Sequence, residues 1–176
     1  MRFIATLLQG VYIIEPERSE DDRGFFARVW CRQELEAHQL DTRLAQCGIS
    51  SNRRQGTLRG LHYQDEPYPE TKVVRCTAGA IYDVVVDLRR SSSTFKQWVA
   101  VELTATNHRM LYIPAGVAHG LLTLEDNTEV FYQISEFYHP ECARGVRWND
   151  PAFNIEWPSK PSVISPRDQH YPDFDG

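Results

Sequence analysis

Short extended stretches follow one another along this chain, each closed by turn residues, with no helix-after-strand rhythm between them. They run Val11 to Ile14, Gly24 to Trp30, Leu44 to Ile49, Thr57 to Gln64, Lys72 to Cys76, Ala80 to Leu88, Trp98 to Leu103, Met110 to Ile113, Ala118 to Leu124 and Glu129 to Phe137. β-branched and aromatic residues, which suit a pleated backbone, recur in them. Arg89-Arg90-Ser91-Ser92-Ser93, Pro114-Ala115-Gly116 and Glu125-Asp126-Asn127 punctuate them as turns. The one good helical candidate is Arg32 to Gln39, where Leu35 and His38 stand three apart. Many short strands with one short helix predict an all-β sandwich or barrel.

From Tyr138 onward the chain turns loop-like, with Pro140, Pro151, Pro158, Pro161, Pro166 and Pro172. Such a tail stays ordered only if it packs across the barrel, and Trp148, Phe153 and Trp157 are the expected anchors. No repeat and no linker divides the sequence, so residues 1–176 are expected to form a single domain.

A net charge of −5 argues against general nucleic-acid binding, which needs a basic surface. The apolar run Phe3 to Leu8 is too short to span a membrane and no cleavage region follows it. The four cysteines, Cys31, Cys47, Cys76 and Cys142, are scattered without a CxxC pair. They read as reduced, buried packing thiols of a cytoplasmic protein.

Gly56-Thr57-Leu58-Arg59-Gly60-Leu61-His62-Tyr63-Gln64 departs from an ordinary core strand. It carries a cation, an imidazole and an amide where Val and Ile would be expected. An edge strand with a polar outer face would account for it alone. Arg59 and His62 are three apart, hence on opposite faces of a regular strand; a bulge at Gly60 would turn both into one cavity.

Other polar residues also sit badly in a plain core. Lys72 opens a strand that continues Val73-Val74, and a lysine there ordinarily snorkels to solvent. Asp83 lies inside Ile81-Tyr82-Asp83-Val84-Val85-Val86, so its carboxylate needs a donor, with Arg59 or Lys72 as candidates. Tyr132 could be a core tyrosine, and Asp168 in the tail a solvated carboxylate. Pro114-Ala115-Gly116-Val117-Ala118-His119 has the Pro-x-Gly-x-x-His spacing of the second cupin motif. Metal-binding cupins carry a His-x-His as well, but here only His62 stands where two would be needed. His38, His108, His139 and His170 fall in helix, turn or tail, so no metal site is expected.

Taken together these motifs resemble the dTDP-4-dehydrorhamnose 3,5-epimerase family, the cupin-fold epimerases of nucleotide-linked 4-keto-6-deoxy sugars. The resemblance runs from Asp22-Arg23-Gly24-Phe25-Phe26 to Ser165-Pro166-Arg167-Asp168. It is carried by Gly56 to Gln64, Gly79 to Arg89, Ile113 to Gly120 and Val146 to Pro151. It implies a jelly-roll barrel, a homodimer with exchanged N-terminal strands, and no cofactor. It also implies His62 as general base, Asp168 as the carboxylate that orients it, Tyr132 as the acid on the opposite face, and Lys72 beside the C4 oxygen. Arg59 and His119 would hold substrate and phosphate; Arg23, Phe26, Gln46, Tyr138 and Arg28 would belong to the nucleotide pocket, with Tyr138 stacked on the base.

Three positions depart from the family pattern. Thr71 replaces a glycine before the lysine, the Gln-x-Asn run is absent from Gln46 to Asn52, and Arg28 stands where an acidic residue is usual. The expected activity is epimerisation at C3, C5 or both of a dTDP-linked ketosugar. The alternatives are a mono-epimerase of a CDP-linked sugar, a non-catalytic sugar-nucleotide binder and, less well matched to the ligand count, a metal-dependent cupin oxygenase.

Overall fold

The computed structural model describes residues 1–175. In chain order its elements are β1 (Arg2–Ala5), β2 (Tyr12–Glu15), β3 (Arg18–Asp21), β4 (Gly24–Ala27), α1 (Arg32–Ala37), β5 (Gln46–Asn52), β6 (Thr57–Gln64) and β7 (Lys72–Ala78). They continue with β8 (Ala80–Asp87), β9 (Trp98–Thr104), β10 (Met110–Ile113), β11 (Val117–Thr123), β12 (Thr128–Ile134), β13 (Ala143–Gly145), β14 (Val163–Ile164) and α2 (Pro166–Gln169). One sheet runs β1-β2-β10-β7-β12-β5 and a second β13-β6-β11-β8-β9, with β14 added beside β6; β3 and β4 form a separate hairpin. The two large sheets form the jelly-roll barrel expected from the sequence.

Alternation along the strands decides what fills each layer. Val74 and Cys76 of β7, Ile81 and Val85 of β8, Leu111 and Ile113 of β10, Leu121 of β11 and Val130 of β12 meet between the sheets as the main core. The residues of β8 that point the other way, Val84 and Val86, are also fully buried. They pack beneath Phe153, Trp148 and Trp157, so the tail covers the outer face of this sheet as its aromatic residues predicted. That is why β8 is apolar on both faces apart from Asp83 and its terminal Asp87: both of its faces are covered. On the far side, α1 and the residues around it lay Leu35 and Trp30 over Ile14, Val73, Met110 and Tyr112.

Boundaries moved where the backbone overrode the pattern. The helix stops at Ala37 because Gln39 turns left-handed (φ 58°) and the Leu40 N–H returns to the Leu35 carbonyl. The strand read as Gly24 to Trp30 ends at Ala27, and its partner β3, Arg-Ser-Glu-Asp, is fully exposed and carries no apolar pattern to detect. The tail contains β13, β14 and a second short helix, α2, where no regular element was expected. Ser165 Oγ accepts from the Asp168 N–H (3.1 Å) and Pro166 opens the turn, so α2 is defined by its cap rather than by periodicity. All four cysteines are free; Cys76 and Cys142 are buried as expected, whereas Cys47 is exposed on the edge strand β5. Burial pushes the Cys76 thiol up to about 11.

Candidate active site

β6 and β11 are out of step by one residue. His62 pairs with His119 and Arg59 with Leu121, so three steps on β6 face two on β11. The bulge falls at Gly60, whose φ of 124° and contact with Gly120 leave no room for a side chain. Its effect is the one the sequence suggested: Arg59 and His62 both line one cavity of about 690 Å³. Gln46, Lys72, His119, Tyr132, Tyr138 and Asp168 line it as well.

His62 Nε2 lies 2.7 Å from Asp168 Oδ1, and Asp168 Oδ2 accepts from the Gly60 N–H (3.3 Å). Burial alone would raise the Asp168 carboxyl, but hydrogen bonds and charge from His62, with the Gly60 N–H and Ser165, hold it below the ordinary carboxylate value. An ionised carboxylate only accepts, so Nε2 carries the ring proton and Nδ1 keeps its lone pair when the ring is neutral. The Asp168 side chain is 5% exposed and His62 41%: a buried anion orients an open imidazole.

Asp83 meets neither of the partners expected for it. His119 Nε2 sits 2.6 Å from Asp83 Oδ1, both groups buried, while Arg59 Nε donates to Asn52 Oδ1 (2.7 Å). The register explains this: Leu121 of β11, not His119, lies directly across from Asp83, and the imidazole reaches back to the carboxylate. Tyr132 projects from β12 in the opposite sheet, edge-on to the His119 ring with centroids 6.0 Å apart. Burial raises its phenol well above the usual value, Asp83 adds to that, and Arg59 offsets part of it. Tyr132 therefore holds its proton and can act as a donor.

Lys72 does not snorkel. It is buried, with Nζ 2.7 Å from Glu70 Oε1 and 3.4 Å from the His62 carbonyl oxygen. Glu70, which also lines the cavity, carried no sequence signal beyond its place two residues before the lysine. Arg144 and Arg167 add further cations to the lining. Gln64, singled out as an amide in a strand, donates to the Tyr68 and Phe137 carbonyls (2.6 and 3.0 Å) and accepts from the His139 N–H (2.8 Å). It thereby fixes the backbone on both sides of Tyr138, whose ring stays exposed.

Three of the nucleotide-pocket candidates lie elsewhere on this chain. Arg23 pairs with Asp21 on the β3–β4 hairpin, Phe26 is 74% exposed there, and Arg28 pairs with Glu34 at 2.9 Å. Among the described residues no three His, Cys, Asp or Glu side chains converge as a metal site, and no helix is long and apolar enough to cross a membrane.

A jelly roll whose cavity holds a His–Asp pair, a protonated tyrosine and a buried lysine belongs with cupin-type proteins equipped for proton transfer. The family model for dTDP-4-dehydrorhamnose 3,5-epimerase matches residues 5–176. A dTDP-4-dehydrorhamnose 3,5-epimerase of Shigella flexneri is 43% identical over 96% of this chain and 93% of its own. The crystal structure of the Elizabethkingia anophelis enzyme superposes with a TM-score of 0.95 at 36% identity, covering 99% of this chain and 96% of that one. The Bacillus anthracis enzyme, solved with TDP and PPi bound, gives 0.94 at 40% identity over 98% and 99%. The chain belongs to the dTDP-4-dehydrorhamnose 3,5-epimerase family.

Proposed function

We propose that this protein epimerises C3 and C5 of a dTDP-linked 4-keto-6-deoxyhexose in deoxysugar biosynthesis. The observation that carries the reading is the placement of His62 and Tyr132 on opposite sheets around one cavity, with Lys72 opening β7 beside the strand of Tyr132. Protons on C3 and C5 are acidic because the C4 ketone can take up charge as an enolate. His62, oriented by Asp168, removes the proton; the Lys72 ammonium faces the C4 oxygen and stabilises charge that develops only in the transition state. Tyr132 returns a proton to the other face, which inverts the carbon. Arg59 and His119 hold the sugar and phosphate, Gln46 and Tyr138 the nucleoside.

One domain carries the whole activity, and it works as a homodimer with exchanged N-terminal strands. That arrangement gives Arg23, Phe26 and Arg28 a role their position on a single chain does not, because the exposed hairpin would reach a partner's cavity. The four free thiols suit a cytoplasmic enzyme.

Incubation with dTDP-4-keto-6-deoxyglucose in D2O tests the reaction. Two deuterons, at C3 and C5, are expected in the product. One would mark a mono-epimerase, and none would leave a sugar-nucleotide binder without chemistry. Light scattering of the purified protein tests the dimer, which a mass near that of one chain would refute.

A further inference from the structure

We infer that Glu70 is a positioning residue for this reaction, acting through Lys72; the inference rests on the enolate-stabilising role proposed for that lysine. A lysine stem is flexible and its ammonium has three equivalent donors, so a buried lysine serves a defined oxygen only if something else fixes it. Glu70 Oε1 lies 2.7 Å from the ammonium as an ion pair, and the ammonium donates to the His62 carbonyl oxygen at 3.4 Å. With three donors on Nζ, a further N–H remains for a substrate oxygen in the cavity. The two side chains of the pair are only 10% and 12% exposed, so solvent screens the contact little and the pair is not a loose surface bridge.

The backbone between them is held as well. The Thr71 N–H donates to Ser135 Oγ (2.8 Å), and the Ser135 N–H donates to the Thr71 carbonyl (3.0 Å). Thr71 is itself buried, so the residue that departs from the family's glycine sits at a fixed point between carboxylate and ammonium. Glu70 and Lys72 thus leave a clamped segment with the carboxylate bound to the ammonium rather than to solvent. A tether of this kind holds the charge in place before the substrate arrives, which is where electrostatic stabilisation gains its advantage.

A double-mutant cycle on turnover of dTDP-4-keto-6-deoxyglucose tests it, with E70A, K72A and E70A/K72A compared to wild type and each fold checked by circular dichroism. E70A should lower kcat by about 10- to 100-fold, the scale of a misplaced catalytic group, with little change in the affinity for dTDP alone. In the K72A background the same substitution should cost almost nothing further, because its effect passes through the lysine. E70Q keeps an acceptor in the same place and should recover most of the lost rate; it also supplies the comparison if E70A folds poorly. Wild-type kcat in E70A, or a rate above it, would overturn the inference, and so would an equal loss in both backgrounds, which marks a merely structural residue. If the wild-type enzyme itself neither exchanges nor epimerises, the proposed reaction fails, and Glu70's role in it fails with it.

Discussion

His62 stands directly opposite His119 across the β6–β11 ladder, and each imidazole is held through Nε2 by its own carboxylate, Asp168 at 2.7 Å and Asp83 at 2.6 Å. The two pairs differ in access. His62 opens to the cavity, whereas His119 is 6% exposed and lies against Tyr132. Residues that look equivalent in the ladder are therefore not so in access: the proposed base is open to the cavity, whereas His119, proposed to hold the substrate, meets the cavity only through a small exposed edge.

The base and the acid should separate in deuterium experiments. His62→Ala removes the proposed base, so exchange at both carbons should fall by about 10²- to 10⁴-fold. Tyr132→Phe should still wash in deuterium, because His62 can return a solvent-derived proton to the face it came from, yet inversion should stop. Mass spectrometry gives exchange and NMR gives configuration; equal loss of exchange in the two variants would refute the division of labour.

Asp168 makes a prediction with a sign. Burial works against its ionised form, but His62 and the neighbouring N–H groups overcome that and depress its folded-state value. A depressed carboxyl contributes stability that is present above its unfolded value, about 3.9, and is lost as pH falls through the folded one. Across the neutral range the carboxylate thus stays ionised and keeps the imidazole oriented. Asp168→Asn should slow turnover by about 100-fold or more by allowing the wrong tautomer. It should also move the acid limb of the pH–rate profile to lower pH, since an imidazolium without its anion is less stable. An unaltered profile would show that Asp168 is not the partner that matters.

A second aspartate, outside the cavity lining, governs stability. Asp87, whose side chain is fully buried, accepts from Arg89 (2.7 and 2.8 Å), Ser92 Oγ (2.5 Å) and Thr94 Oγ1 (2.6 Å). Burial would raise it, yet these bonds bring it down to about 2. Relative to an unfolded carboxyl this corresponds to about 2–3 kcal/mol at neutral pH. By the same sign, that stability is intact above pH 4 and disappears between pH 4 and 2. Urea titrations of wild type and Asp87→Asn should differ by about this amount at pH 7, and the gap should close as pH falls to 2. A constant difference across that range would mean that charge is not the cause.

What could be read in advance follows a physical line. Strands rich in buried apolar residues, such as β6, β7 and β8, were legible because burial imposes that composition; β3, exposed along its whole length, carries no apolar residue. The Gly60 bulge was legible because polar side chains three apart on a strand share a cavity only where the alternation breaks, and glycine is the residue that lets it break. Asp83 was recognisable as needing a donor, but its donor was misassigned: which of several donors meets a carboxylate depends on the register between neighbouring strands, and here the answer was His119. Glu70 was invisible for the same reason. An acidic residue before a strand is ordinary until the fold shows it buried against Lys72. Asp168 was pointed out by family resemblance, and its α2 setting depends on a cap rather than on periodicity.

Nucleotide selection gives the last prediction. An arginine at position 28 could favour a base edge that accepts, such as cytosine N3, over thymine, whose N3–H donates. In the structure Arg28 Nη1 is 2.9 Å from Glu34 Oε1, so the guanidinium already has an acceptor on its own chain. The Tyr138 ring, in contrast, is 58% exposed at the cavity while Gln64 holds the backbone on either side of it. Stacking tolerates either pyrimidine, since each base presents a π face, and is worth about 1–3 kcal/mol per base. Tyr138→Ala should therefore weaken dTDP and CDP alike, by about 5- to 100-fold, while Arg28→Ala leaves their ratio nearly unchanged. Calorimetric titration of both nucleotides against the three proteins decides the matter. If wild type binds CDP more tightly than dTDP and Arg28→Ala abolishes that preference, Arg28 reads the base and the substrate is cytidine-linked.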